Sequence, residues 1–451
     1  MKSPSNTTPL RMGRLPTENP AEARAFLSTG MRFYRAFFRF LFQSFGTWIL
    51  GEERWKETQA GLRKISALDG FRPRGERVWF HAASVGELES LWPLIERAST
   101  SPDNELIITV FSSSVWGHVH RNARKLSNAP AFVGYSPVEG FWTDALLSAR
   151  PNLFVTAKYE AWPEIWNTLG ALGVPLAIIG AKPRSSLLWA KRILRIFAGK
   201  LPKLHFFSFD PENERGLSDA FPESAIHHGS DPRWDRVFAR ARGEHPRVRE
   251  LALDFADLPR PWGIVGSAWP ADLARFDAGE TAQVPGTLWV VPHRVDAKSI
   301  SEIEILLRER GWTPVRTGSP ERIRPAGRIA VLVDEMGFLA ELYALMDWAF
   351  VGGGFGSGIH STIEPSVYGL PITGGPKGQE KFDEIALLVR QGQMHLLDGA
   401  GERGLMAWIQ RVVRDGADTT LRDRWKLENR RHLDASERTW AILEKTLAEA
   451  K

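Results

Sequence analysis

Beyond about residue 75 the chain repeats one pattern: a short apolar run, a loop of small residues, then a stretch with helical spacing. The first group of runs lies at 78–82, 106–111, 153–157, 175–180 and 205–209. A Pro- and Arg-rich break at 242–261 reads as a linker. The pattern restarts at 263–267, 288–292, 329–333, 349–353 and 371–373. Continuous apolar runs, rather than alternating ones, predict strands covered on both faces. Their alternation with helices predicts parallel sheets. The expected class is α/β, with two Rossmann-like domains facing a cleft. Ligands of such sheets sit outside the carboxyl ends of the strands, so the loops after each run are where chemistry is sought. The last stretch, 421–450, reads as helical and charged.

The N-terminal segment has a different pattern. Residues 1–25 are polar and contain Pro, as expected of a mobile tail. On a helix, Arg32, Arg35 and Arg39 form one stripe, and Tyr34, Phe37 and Leu41 take the same spacing on the other side. Residues 40–51 carry no charge, but twelve residues are too few for the roughly twenty a spanning helix needs. An apolar stretch this late and interrupted by Arg is not a secretory signal. An Arg-striped, Phe-rich helix suits a bilayer interface. The alternative is a helix packing its aromatics on the protein itself or on a partner chain.

The charge balance agrees with that picture. The 451 residues hold 58 Lys and Arg against 53 Asp and Glu, a net +5. The first fifty residues alone carry seven basic and two acidic side chains, so the whole excess sits there. Concentrated beside aromatics, it points to an anionic membrane surface and not to nucleic acid. There is no Cys, which excludes disulfides, thiol nucleophiles and thiolate metal sites. The length predicts two domains, placed at 51–245 and 246–451 after the helix-bearing segment 1–50.

Three loops carry candidate chemistry. HAASVGE at 81–87 leaves a strand and enters a helix. Ser84 can cap that helix, Gly86 lets the backbone approach a ligand, and Glu87 stands at the helix start, where a carboxylate can take a proton from a hydroxyl. Ser84 and Glu87 also have the spacing of a capping box, a purely structural use. KYEAWP at 158–163 follows the predicted strand 153–157, again at a carboxyl edge, with Glu160 in the loop and Pro163 suited to a helix first turn. The Gly-rich stretch 352–358, with His360, Ser361, Thr362, Ile363 and Glu364 after it, can offer backbone N–H groups to a phosphate. It is neither a P-loop nor a GxGxxG opening the first unit. Its late position favours a nucleotide-phosphate donor over NAD. Ser267, His293 and Arg294 end two other strands of the second half. Asp231-Pro232-Arg233 offers either a guanidinium for the site or a structural ion pair. The eleven His show no metal-ligand spacing, and no metal or cofactor is expected.

Taken in order, HAASVGE (81–87), YEAWP (159–163), GSAWP (266–270), VPHRVD (291–296), DEMGFLAELY (334–343), GGGFGSGIHSTIEP (352–365) and GLPITGGPKGQEKFDEI (369–385) resemble the Kdo (3-deoxy-D-manno-octulosonic acid) transferases of Gram-negative lipopolysaccharide assembly. The resemblance spans roughly residues 30–430. It implies a GT-B glycosyltransferase fold and an inverting transfer of Kdo from CMP-Kdo to a lipid A precursor. The place implied is the cytoplasmic face of the inner membrane, with the amphipathic helix as anchor. Carried over by position, Glu87 matches the general base, and Glu160 and Arg233 match transition-state stabilisers. His293, Arg294, Met336, Gly337, Phe338, Ser361, Thr362, Ile363 and Glu364 match CMP-contacting segments. The chain departs from the resemblance where Lys158 replaces a usual Glu, Arg233 a usual Lys, and His-Ser-Thr-Ile-Glu-Pro a usual His-Asn-Pro-Leu-Glu-Pro. Other readings are a lipid disaccharide synthase, a nucleotide-sugar epimerase, or a non-catalytic relative that binds a sugar nucleotide or lipid.

Overall fold

The computed structural model describes residues 27–70, 75–158, 160–276, 284–318, 327–398, 402–415 and 419–449. The expected mobile tail and Tyr159 of the second motif lie outside the described residues. The chain divides into two compact units, one of residues 1–233 with 434–451, the other of residues 234–433.

The first unit holds an all-parallel sheet of β1 (Glu76–Ala82), β2 (Asn104–Val110), β3 (Phe132–Tyr135), β4 (Leu153–Ala157), β5 (Leu176–Ile179), β6 (Leu204–Ser208) and β7 (Ala225–His228). Their order across the sheet is β3-β2-β1-β4-β5-β6-β7. Successive side chains of a strand point to opposite faces. Val78, Phe80 and Ala82 therefore join one core, and Trp79 joins another. Both faces are covered, as the unbroken apolar runs require.

The second unit repeats the design. It has β8 (Trp262–Ala268), β9 (Thr287–Pro292), β10 (Thr313–Arg316), β11 (Ile329–Leu332), β12 (Trp348–Val351), β13 (Ile372–Gly374) and β14 (Met394–Leu396). The order is β10-β11-β9-β8-β12-β13-β14, again all parallel. Val265, Leu288 and Val290 enter one core, and Ile264, Trp289 and Val291 the other.

The ten expected strands are present with ends shifted by a few residues. The four strands that the apolar pattern missed, β3, β7, β10 and β14, are the four edge strands. An edge strand has one neighbour and need not be apolar throughout. Accordingly β7 has no buried residue, and β10 and β14 have one each.

Three expectations are corrected. The supposed linker 242–261 contains the helix Pro246–Asp254, whose Val248 and Leu251 are buried in the second unit's core. Pro246 sits in that helix's first turn, where a missing N–H costs nothing. The division falls at residue 233, not 245, and the C-terminal helix Ala435–Glu449 belongs to the first unit. Its Trp440, Leu443 and Leu447 enter the core around Phe80 and Leu91, with the Trp440 ring 6.5 Å from Phe80.

The third correction concerns the N-terminal helix Thr29–Leu50. Ser28 caps it by accepting from the Met31 N–H. Its expected Arg stripe is not a free face. Arg35 and Arg39 both pair with Asp144, Arg39 donates to the Gly140 carbonyl, and Arg35 Nε lies 3.4 Å from Glu164. Tyr34, expected on the apolar outer side, is buried and donates to Glu139 at 3.3 Å. Met31 is buried beside it, and Gly46 lies flat on the Trp55 indole, where a Cβ would meet the ring at 2.7 Å. The side turned to solvent carries Phe33, Phe37, Phe40 and Trp48, the last 86% exposed. No helix among the described residues is long and apolar enough to cross a membrane.

Candidate active site

In a doubly wound sheet, the crevice for ligands opens where neighbouring strands lead off in opposite directions. In the first unit that point lies between β1 and β4. The loop after β1 carries Ser84, Gly86 and Glu87, and the loop after β4 carries Lys158 and Glu160. Sequence-distant motifs thus meet because they end adjacent strands.

Glu87 is the third residue of the helix Val85–Ala98 and only 4% exposed. Its carboxylate accepts from the Ala83 N–H at 2.6 Å and the Ser84 N–H at 3.1 Å, while Ser84 Oγ accepts from the Glu87 N–H. The capping box is therefore real. It does not exclude chemistry, because it fixes the carboxyl in one orientation at the switch point. Burial, then the Glu160 charge, push Glu87 up to about 7. The Ala83 hydrogen bond and the charges of Lys158 and His81 pull the other way.

Glu160 accepts from the Trp162 indole N–H at 2.6 Å and lies 3.7 Å from Nε2 of the buried His81. The opposite ring nitrogen of His81 meets Thr109 Oγ1 at 3.1 Å. Arg233 donates through Nε and Nη2 to one Asp231 oxygen, at 2.9 and 2.7 Å, and its backbone N–H donates to the other. Burial pushes Asp231 up, but the Arg233 charge and hydrogen bonds, with Lys158, hold it below the ordinary range. The structural ion pair anticipated for Arg233 is present.

The second unit's switch point lies between β8 and β12. Ser267, at φ +52°, is the penultimate residue of β8, and the Gly-rich loop follows β12. The Gly353 N–H donates to the buried Asp272 carboxylate at 2.7 Å. Gly354 packs directly on the Gly375 carbonyl, where no side chain fits. His293 stacks between Trp269 and His360, with ring centroids 4.5 and 4.7 Å away. Burial, and then His293, lower His360 to about 4, and burial with the Arg294 charge lowers His293. The His360 ring is therefore neutral at pH 7. Arg294 lies 5.9 Å above the Trp269 ring. A cavity lined by Trp269, His293, Arg294, Asp296, Lys298 and Ser299 opens beside this stack.

The remaining donor-segment residues divide by exposure. Met336 is exposed and Gly337 takes φ +108°. The Gly337 carbonyl accepts from Arg240. Phe338 and Ile363 bury their side chains in cores, so only their backbones remain for a ligand. Ser361 and Thr362 lead into the single turn Ile363–Ser366, which carries Glu364. The buried Thr362 hydroxyl has no hydrogen-bond partner among the described residues. The charge of Glu364 acts on Arg240, Tyr343 and Tyr368.

Residues 52–220 match a family model described as 3-deoxy-D-manno-octulosonic-acid transferase (kdotransferase). The 3-deoxy-D-manno-octulosonic acid transferase of Chlamydophila psittaci is 25% identical over 351 residues, which is 72% of this chain and 75% of that protein. The enzyme of the same description from Chlamydia pneumoniae is 27% identical over 359 residues, 72% of this chain and 74% of that protein. The chain is thus similar to Kdo transferases. It is accordingly a glycosyltransferase, and solved structures support the GT-B fold. The UDP-GlcNAc 2-epimerase of Neisseria meningitidis superposes with TM-score 0.57 at 11% identity, covering 83% of this chain and all of that one. Acinetobacter baumannii MurG gives 0.53 at 10% identity, covering 82% and 99%. At such identities the likeness is one of fold.

Of the residues expected to be catalytic, Glu87 and Glu160 follow the neighbouring strands β1 and β4, and Arg233 follows β7. His81 and Trp269 stood inside quoted motifs, but nothing in their spacing marked them as partners. Their roles come from contacts between loops far apart in sequence.

Proposed function

We propose that the chain transfers Kdo from CMP-Kdo to a hydroxyl of a lipid A precursor, with inversion, and that Glu87 is the general base. The observation carrying this reading is the buried, oriented Glu87 carboxyl, pushed up to about 7 at the switch point of the first sheet. A group that titrates near the working pH serves best as a base. Glu87 takes the proton of the acceptor hydroxyl as its oxygen bonds to the anomeric carbon, and the bond from that carbon to the CMP phosphate breaks. Charge builds up on the departing phosphate. The second unit's loops, Met336–Gly337–Phe338 and the stretch from Gly352 to Thr362, would hold it through backbone N–H groups already in place. Glu364 would accept from the ribose diol, and Ser267, His293 and Arg294 would line the phosphate and sugar. Glu160 and Arg233 would balance charge as the sugar becomes cationic, each held by its partner, Trp162 or Asp231.

The helix Thr29–Leu50 supports a membrane-surface site for this reaction. Phe33, Phe37, Phe40 and Trp48 are exposed together, and the other side of the helix is fixed to the protein by Arg35, Arg39 and Tyr34. An aromatic face of this kind enters the headgroup boundary without crossing the bilayer. The place proposed is the cytoplasmic face of the inner membrane, where an amphiphilic acceptor is available. The deciding experiment incubates the purified protein with CMP-Kdo and lipid A precursor and follows the acceptor's mass. Addition of one or more Kdo residues is expected. No mass change with CMP-Kdo, or transfer from a UDP-sugar instead, overturns the reading.

A further inference from the structure

The proposed donor segment Met336–Phe338 lies between β11 and the single helical turn Leu339–Leu342, and two arginines from other helices hold its ends. Arg247, on the helix Pro246–Asp254, donates Nε and Nη2 to the Glu335 carboxylate at 3.0 and 2.7 Å, and Nη2 also to the Thr317 carbonyl. Arg240, on the helix Arg233–Arg242, donates Nε and Nη2 to the two Glu341 oxygens at 2.8 and 2.7 Å. Its Nη2 also donates to the Gly337 carbonyl at 3.2 Å. The Glu341 hydrogen bonds lead in raising Arg240 above the ordinary arginine range; burial opposes them, and the charges of Glu341 and Glu364 add to them. Gly337 takes φ +108°, and a Cβ there would meet nothing within 4 Å, so open space borders the segment. The N–H groups of Met336, Gly337 and Phe338 have no acceptor among the described residues. The Phe338 ring is packed in the core, 5.5 Å from the His245 ring.

A trans peptide points its carbonyl and its N–H in opposite directions. Fixing the Gly337 carbonyl on Arg240 therefore aims the Phe338 N–H away from that guanidinium, and the buried Phe338 ring keeps the peptide plane from turning over. Donors held in place before a ligand arrives cost no reorganisation when charge develops on it. A glycine is otherwise free to rotate, so without the arginine the segment would lose more backbone freedom on binding. Resting on the reading of this segment as the phosphate holder, we propose that Arg240 is a positioning residue for the donor. It acts through the backbone: by holding Gly337 and Glu341 it presents the N–H groups of residues 336–338 to the departing phosphate. The Glu341 pair alone would serve stability; the bond to the Gly337 carbonyl is what ties Arg240 to the donor segment.

The test compares the full chain with Arg240→Met and Glu341→Gln. Binding of CMP and of UDP is titrated by calorimetry, and donor and acceptor KM are measured with CMP-Kdo and lipid A precursor. Arg240→Met keeps the apolar stem and removes every donor. It is expected to weaken CMP binding and raise donor KM by about tenfold, with acceptor KM unchanged. Its thermal midpoint should stay close to the parent's, because the Arg240 side chain is 41% exposed and exposed ion pairs add little stability. Glu341→Gln leaves Arg240 charged on a neutral acceptor. It should move CMP affinity and donor KM the same way by about threefold, and it decides the matter if Arg240→Met does not fold. Unchanged CMP affinity in a folded Arg240→Met, or a rise in acceptor KM equal to that in donor KM, overturns the proposal and leaves the donor reading in place. Binding of UDP in place of CMP, lost in Arg240→Met, would remove the proposed donor and leave this inference standing. Binding of neither nucleotide by the parent chain overturns both.

Discussion

Burial and the Glu160 charge push Glu87 up to about 7, and this gives two predictions with opposite signs. As a base, Glu87 must be ionised, so kcat/KM is expected to fall as pH drops below about 7, and a rate–pH profile checks it. Glu87→Gln keeps an oxygen for the Ala83 and Ser84 N–H groups but takes no proton. Its transfer rate should fall by about two to four orders of magnitude, with CMP binding retained. For stability the sign reverses. The folded state holds the Glu87 proton more tightly than the unfolded chain. Its contribution is therefore complete below about pH 4.5, is lost as pH rises toward 7, and is absent above. Glu87→Gln removes a buried charge and should stabilise the protein at pH 8 by up to about 3 kcal/mol, with no gain at pH 4.5. Urea unfolding at the two pH values decides it. The Ser-x-x-Glu spacing was legible as a capping box, but the raised value was not, because it comes first from burial in the folded unit and then from the charge of Glu160, which follows the neighbouring strand β4.

At the scale of elements, the two terminal helices are each fixed by side chains that their local pattern left ambiguous. Leu443 of the C-terminal helix Ala435–Glu449 is fully buried against the first unit's core. Leu443→Ala is expected to cost about 2–5 kcal/mol, seen as a lowered urea midpoint for the first unit, with CMP affinity of the second unit unchanged. For the N-terminal helix, Phe37→Ser with Trp48→Ser should abolish flotation with anionic vesicles and leave the thermal midpoint in place, since both side chains are exposed. Retained flotation would assign the aromatic face to another partner. The helix itself was legible from its spacing. Which side faces outward was not: Asp144 and Glu139 are about a hundred residues away, and they turn Arg35, Arg39 and Tyr34 inward.

For the whole molecule, the two units have separate cores, and the proposed donor residues from Ser267 to Glu364 all lie in the second. CMP at a hundred times its dissociation constant should stabilise residues 234–433 against proteolytic cleavage by about 2.7 kcal/mol, and UDP at the same concentration should not. Equal protection by both nucleotides would favour a different donor. The ten inner strands, their parallel pairing and the two-unit plan were fixed by the sequence itself, because a strand covered on both faces must be apolar along its whole length and that pattern needs no partner to be read. Edge strands, the return of the last helix to the first unit, the inward turn of Arg35 and Arg39, and the grouping of Glu87, Lys158, Glu160, Asp231 and Arg233 were decided only by the tertiary structure. Each depends on which distant backbone ends lie side by side, and strand order, which sets those neighbours, leaves no mark in local spacing.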